Sequence, residues 1–371
     1  MPSPFVPLAR PQIGDEELQE IKKVLESGFL TEGKVAAEFE GGLINYIGCK
    51  HAIVTTSCST ALELALRTLG IGPGDEIIAP DFTYPITASV AYLVGAEPVL
   101  VDVDSDTYCI DVSQVRKAIT GRTKAVIPVS LFGQPLDLDE LKSLQEKHGF
   151  KIVEDAACSI GSSYKGKMTG TIADITCFSF HPRKVMTTGE GGLLTTNDDS
   201  IASKARSMKK FGIVPTPDGK GRFDYRGTNY KMSDVLAAIG VVQLSKIESM
   251  IQDRRKKAQA YDKLLAGKPD IKSPSVPQGA RHVYQTYCTV LKKQGIRDQV
   301  IKTMRERGIE TQIGTFCLHI YPLLASARKI GDCSVSKALF ENTLALPLHY
   351  ALTPEDQKRV VSTLDEVLQK F

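Results

Sequence analysis

No run of roughly 18 consecutive apolar residues occurs in this chain, so no segment reads as a membrane-spanning helix. The opening residues, MPSPFVPLARPQIGDEE, lack the basic-then-apolar order of a secretory signal. A soluble, cytoplasmic protein is expected. Charge of one sign is scarce too, with a net charge of only +3 over 371 residues. Basic clusters at Lys204–Lys210 (KARSMKK) and Arg254–Lys257 (RRKK) interrupt helical patterns and read as solvated helix faces. With no basic stripe and no reader motif, nucleic-acid binding is not expected. An acidic small molecule remains compatible with the charge. The eight cysteines (Cys49, Cys58, Cys109, Cys158, Cys177, Cys288, Cys317 and Cys333) form no CxxC pair and no zinc-type spacing with histidine. Most are expected to be reduced, buried small side chains in a cytosolic protein, and a metal role is not expected.

The composition, 42% hydrophobic and 24% charged, is that of a globular protein with a sizeable core. The length suits one large domain and a smaller one. After an N-terminal arm, Leu18, Ile21 and Leu25 recur at helical spacing, with Gly28 as the stop. A second helix places Val35, Phe39 and Leu43 on one face. Short β-rich runs follow at His51–Thr56, Glu76–Ala79, Pro98–Val103, Lys124–Val129, Lys151–Glu154, Ile175–Phe180 and Gly192–Thr195, with helical segments such as Thr60–Leu69 and Leu136–His148 between most of them. Strands without strict alternation, separated by helices, predict an α/β fold with a mainly parallel, doubly wound sheet covered on both faces. Functional loops then lie at the carboxyl ends of the strands. Beyond about residue 235 the pattern changes. A long helix over Ser233–Leu265 precedes a Pro-rich passage, an alternating strand at Val283–Leu291, a helix near Asp298–Arg307, and a last helix with Thr353 as N-cap, Pro354 in the first turn and Asp356 three residues after the cap. The expected division is 1–240 for the large domain with its arm, and 241–371 for a smaller α+β domain.

Asp155 ends the strand KIVED, which aims its carboxylate at the ligand crevice of such a sheet. Lys184 follows a second strand, in SFHPRKVMTTGEGG. An acid and an amine so placed suit pyridoxal 5′-phosphate (PLP): the lysine forms a Schiff base and the carboxylate keeps the pyridine nitrogen protonated. Taken alone, an Asp and a Lys so placed form a structural ion pair more often than an active site. Between a strand and a helix lies Thr55–Ala61 (TTSCSTA), where small residues expose N–H groups and hydroxyls at the positive end of a helix and suit a phosphate. Simple N-capping by Ser59 or Thr60 is the other reading. The turn has no GxGxxG, which disfavours a dinucleotide fold.

These pieces, in this order, resemble the DegT/DnrJ/EryC1/StrS sugar aminotransferases, a branch of the fold-type I PLP enzymes. The resemblance runs through PLARPQIGDEE, LTEGK (Leu30–Lys34), the phosphate turn, PDFTY (Pro80–Tyr84), EDAACSIG (Glu154–Gly161), SFHPRK…TGEGG, NYKMS (Asn229–Ser233) and LPLH (Leu346–His349). It implies that Lys184 carries the cofactor and shuttles the proton, and that Asp155 partners the pyridinium. Tyr84 would stack on the ring, while Ser57, Cys58, Ser59 and Ser179 hold the phosphate. Cys158 would stand at the phenolic oxygen. Asn229 would be contributed by a neighbouring subunit, making a homodimer with a shared active site. Glutamate is the expected donor and a nucleotide-linked keto-sugar the acceptor.

Two positions depart from the family pattern. Cys58 stands where glycine is common, and Cys158 where Gln or His is common; a thiol is the weaker donor. A dehydratase offshoot replaces the lysine by histidine, so Lys184 speaks against that reaction. Leu30, Thr31 and His319 are candidate substrate contacts. His181 reads mainly as a packing residue. Cys317 is compared with the mobile cysteine of PLP-dependent desulfurases, but the motifs around it do not match that group. Two other readings stay open: an aminotransferase acting on a non-nucleotide ketone (an aminocyclitol or 3-amino-5-hydroxybenzoate-type precursor), and a non-catalytic regulatory protein on this fold.

Overall fold

The computed structural model describes residues 4–371, so the first three residues of the arm lie outside it. All seven β-rich runs form strands, and they join one eight-stranded sheet. From one edge the order is His51–Thr55, Gly192–Thr196, Ile175–Ser179, Lys151–Asp155, Thr123–Val126, Glu76–Pro80 and Glu97–Val101. Arg328–Lys329, which the sequence patterns do not reveal, closes the far edge. Gly192–Thr196 runs antiparallel to both neighbours and the other pairings are parallel.

Burial on both faces explains the near-continuous apolar character of these strands. Ile53 and Leu194 face one layer, where Leu62, Leu66 and Ala205 of the helices Cys58–Thr68 and Asp199–Lys209 pack. Ala52, Val54 and Leu193 face the other, against Phe39, Leu43, Ile247 and Ile251 from Lys34–Ile47 and Asp234–Leu265. A second sheet is antiparallel throughout, in the order Ile271–Lys272, Tyr287–Leu291, Thr343–Leu346, Gln312–Ile313. The helices Arg297–Glu306 and Pro354–Leu368 contribute Val300, Met304, Val360 and Leu364 to its core. Thr353 caps the last helix as expected, with Asp356 returning the bond. The arm is tied to this part of the chain: Val6 pairs with Ile309, and Leu8 O accepts from Leu348 N–H at 3.0 Å.

The helix Asp234–Leu265, with Ser233 as its cap, runs unbroken for 32 residues, about 48 Å at 1.5 Å per residue. It therefore passes straight through the expected division at 240/241. Its first side chain caps another helix. Asp234 accepts from the N–H groups of Gly33 (2.7 Å), Ala36 (3.0 Å) and Val35 (3.2 Å). Those are the orphan donors at the start of Lys34–Ile47. Among the described residues no helix is long and apolar enough to cross a membrane.

Four expectations are corrected. The first helix, Asp15–Ser27, buries Val24 and Glu17, while Leu18 and Leu25 are 59% and 56% exposed. Glu17 is drawn inward because its carboxylate accepts from Gln243 (2.7 Å) and Lys246 (3.0 Å) on the long helix. The KARSMKK cluster is not simply a solvated face. Lys209 is buried between Glu32 (2.8 Å) and Glu40 (3.2 Å), and Arg206 reaches Glu40 at 2.7 Å. In RRKK, buried Arg254 donates to the carbonyls of Leu348 and Gln285. The helices expected from Thr60 and Leu136 begin at Cys58 and Asp139, and the strand expected from Val283 begins at Tyr287. Ser57 takes the cap from Ser59 and Thr60, and a left-handed Tyr284 (φ 50°) interrupts the extended run.

Candidate active site

The site is built along the carboxyl edge of the large sheet. Ser57 caps the helix after the first strand: its Oγ accepts from Thr60 N–H at 3.2 Å, and its own N–H donates to Thr60 Oγ1 at 3.0 Å. The first-turn N–H groups of Cys58 and Ser59 have no acceptor within the helix. With the helix dipole they favour an anion.

Gly192 makes this turn possible. It pairs with Thr55 on one side and Ser179 on the other, placing three strands in one register row. A Cβ on Gly192 would stand 2.2 Å from the Ser57 carbonyl carbon and 2.5 Å from Cys58 N. Only glycine lets the two backbones approach so closely. Ser179 Oγ accepts from His181 N–H at 3.3 Å, which leaves the hydroxyl hydrogen for another acceptor.

Asp155 is buried at the end of its strand. Thr87 Oγ1 donates to Oδ2 at 2.7 Å and Ala157 N–H to Oδ1 at 3.1 Å. Burial pushes its pKa up, against the hydrogen bonds of Thr87 and Ala157 and the charge of Lys184. Among the described residues, no cationic side chain forms an ion pair with this carboxylate. Lys184 lies in the loop after Ile175–Ser179, and its Nζ is 3.3 Å from Cys158 Sγ. Burial works against its charge, but Cys158, Cys58 and Asp155 outweigh that and hold the ammonium above its ordinary range.

The residues fit pyridoxal 5′-phosphate. A phosphate has the helix end and Ser179, a ring nitrogen has a buried acid lacking a cation, and an aldehyde has the one amine among them. Cys58 and Cys158 both belong to this group, the first buried and the second half-buried.

Other candidates are placed differently. Tyr84 is 62% exposed, with its ring edge-on to Phe316 at 5.8 Å. Leu30, Thr31 and Asn229 are exposed, and none of them bonds to the Lys184–Asp155 group. The Asn229 segment does lie beside the turn, since Tyr230 O accepts from Thr56 N–H at 3.1 Å. His181 Nδ1 accepts from Arg183 N–H, which suits a local structural role.

His319 has a partner that the sequence patterns did not single out. Its Nδ1 is 2.7 Å from Asp81 Oδ2, and its N–H donates to Oδ1 at 2.8 Å. Cys317 Sγ also donates to Asp81, at 3.2 Å. These three donors lie close enough to hold a metal ion, and they already satisfy one another by hydrogen bonds. Cys317 is buried in a strand paired with Phe82–Thr83, and burial raises its thiol pKa, unlike a mobile nucleophile. The position of Asp81 at a parallel strand's end, in PDFTY, was the available signal, the same one that marks Asp155.

The sequence pattern of the DegT/DnrJ/EryC1/StrS aminotransferase family matches residues 11–365. GDP-perosamine synthase of Caulobacter vibrioides is 37% identical over 370 aligned residues, covering 98% of this chain and 99% of that protein. Spore coat polysaccharide biosynthesis protein SpsC of Bacillus subtilis is 34% identical, with 98% and 97% covered. Among solved structures, the putative sugar aminotransferase Spr1654 from Streptococcus pneumoniae, in its PMP form, superposes with a TM-score of 0.92 at 30% identity over 99% of each chain. The match in sequence and in fold spans nearly every residue, and the chain belongs to the DegT/DnrJ/EryC1/StrS aminotransferase family.

Proposed function

We propose that this PLP-dependent aminotransferase moves an amino group from glutamate to a nucleotide-linked keto-sugar. The observation that carries the reading is the meeting of three groups: a half-buried lysine, a buried acid without a cation, and a helix end open to phosphate. The related GDP-perosamine synthase bears the name of a nucleotide-sugar enzyme, which supports an acceptor of that class.

When bound, the cofactor supplies an electron sink and a temporary store for the amino nitrogen. Lys184 anchors it. Once displaced, its Nζ takes the proton from the donor's Cα and returns one to the acceptor's former carbonyl carbon. Asp155, locked by Thr87 and Ala157, holds a proton on the ring nitrogen, and Tyr84 covers the ring. Ser57, Cys58, Ser59 and Ser179 would hold the phosphate, and Cys158 would stand at the phenolic oxygen.

In this reading the protein is a cytoplasmic homodimer, and Asn229 completes the phosphate site of the second copy. The exposed apolar side chains Leu18, Leu25 and Phe29 support a covered face there. Residues 1–240 form the cofactor domain and 241–371 the smaller one, with Leu30, Thr31 and His319 on the acceptor side.

The test is the visible spectrum of PLP-loaded protein before and after L-glutamate, followed by nucleotide-linked and free ketones as acceptors. Loss of the Schiff-base band with glutamate, and turnover of the nucleotide-linked ketone, is the expected result. A band untouched by glutamate overturns the donor, and turnover of free ketones alone overturns the acceptor. Lys184→Ala is expected to fold normally and to lose turnover; an active variant removes Lys184 from its role.

A further inference from the structure

Eight thiols are present and all are free, but six are buried. Of the two half-buried ones, Cys109 has only the Thr107 carbonyl near its sulfur, at 3.5 Å, and burial raises its pKa to about 12. Cys158 differs from all the others in having an amine at its sulfur, Lys184 Nζ at 3.3 Å. Peroxides oxidise an accessible cysteine sulfur to the sulfenic acid. Cys158 is thus reachable by a small oxidant and next to a nucleophile able to capture the product.

We propose that Cys158 and Lys184 form a reversible oxidative cross-link, an S–N bond, whenever hydrogen peroxide meets the protein with Lys184 free. In the first step the Cys158 sulfur attacks one peroxide oxygen and the O–O bond breaks. The sulfur becomes a sulfenic acid, losing two electrons to the peroxide, and water leaves. In the second step Lys184, having given its ammonium proton to solvent, attacks that sulfur as the neutral amine, and the S–O bond breaks. The hydroxide departs with the nitrogen's proton as a second water. Contact at 3.3 Å puts the amine ahead of a second peroxide in reaching the sulfenic sulfur, in the sense of effective concentration. A dithiol reverses the bond by attacking the sulfur and returning the proton to the amine.

The consequence is selective. Lys184 engaged with the cofactor as an imine is no longer a primary amine with an N–H to exchange for the S–N bond, so the link belongs to the cofactor-free and amino-loaded protein. That protection rests on the reading of Lys184 as the cofactor's anchor, whereas the bond itself rests only on the contact with Cys158.

The experiment treats full-length, cofactor-free protein with hydrogen peroxide and reads intact and peptide masses. The expected product is lighter by two hydrogens, about 2 Da, because one S–H and one N–H are exchanged for one S–N bond. It yields a linked peptide pair containing residues 158 and 184, and dithiothreitol restores the starting mass. Cys158→Ser and Lys184→Arg should each abolish the linked pair. In the Lys184→Arg protein Cys158 should accumulate instead as the sulfinic and sulfonic acids. Wild-type protein in which Cys158 is over-oxidised or unchanged while Lys184 stays free overturns the proposal. An equal yield of linked peptide in PLP-loaded protein overturns the protection and leaves the bond standing.

Discussion

Gly192 and Ser57 touch through their backbones, with no space for even a methyl group between them. Three neighbouring strands converge at this contact, and the helix whose first N–H groups are proposed to hold the phosphate starts from it. Gly192→Ala must therefore displace the turn. Overpacking of this kind costs about 1–3 kcal/mol, and here the displacement falls on the anion site itself. Urea unfolding and PLP titration followed by absorbance should show lower stability together with weaker cofactor binding. Wild-type affinity in a stable variant would show that the turn tolerates the shift.

Asp155→Asn separates the cost of this site from its use. The buried acid forms no direct ion pair, and the charge of Lys184 offsets its burial only in part; a buried charge so weakly compensated is destabilising. The cofactor-free variant should be at least as stable as the parent, while its turnover falls on the order of 100-fold or more for want of a charge to hold the ring proton. Near-normal turnover would mean that Asp155 does something else.

Glu154, the adjacent residue, gives a pH signature. Burial pushes its carboxyl up to about 7, against hydrogen bonds from Ser130 and Thr176 and with Asp155 adding to the rise. In the unfolded chain it ionises near its ordinary 4.5. Between those values the folded protein binds more protons than the unfolded one, so stability falls as pH rises through that window. Glu154→Gln should match the parent near pH 4 and exceed it by up to about 3 kcal/mol near pH 8. Urea melts across that range read the difference; parallel curves for the two proteins would remove Glu154 as the source.

Asp234→Ala strips three N–H groups of their acceptor at the start of Lys34–Ile47. Loss of such a cap costs about 1–2 kcal/mol, and Asp234→Asn should recover part of it. A shift in the urea midpoint is the readout. An unchanged midpoint would mean that water replaces the carboxylate at no cost.

The strands of the large sheet were legible because each is a short apolar run bounded by polar turns. The acid and lysine were legible because one ends such a run and the other lies in the loop after one. What the sequence did not reveal depends on long-range partners. Lys209 looks solvated until Glu32 and Glu40 are brought to it. Leu18 and Leu25 look like a core face until Glu17 is found bonded to Gln243. Asp81 has only its place after a strand to mark it, and its partners appear when residues 316–319 are laid against Phe82–Thr83. Arg328–Lys329 is two polar residues long and takes its form from the edge it joins.

The unbroken helix from Asp234 to Leu265 also bears on how this enzyme can be recombined. Its first residue holds the loop preceding Lys34, Gln243 holds the arm at Gln12, and Arg254 and Tyr261 hold the carbonyls of Leu348 and Pro347. A chimera that exchanges the C-terminal portion with a relative, if joined at residue 240, would part Gln243 from the arm that it holds. A crossover placed inside the helix, between Gln243 and Arg254, keeps every one of those attachments within a single inheritance.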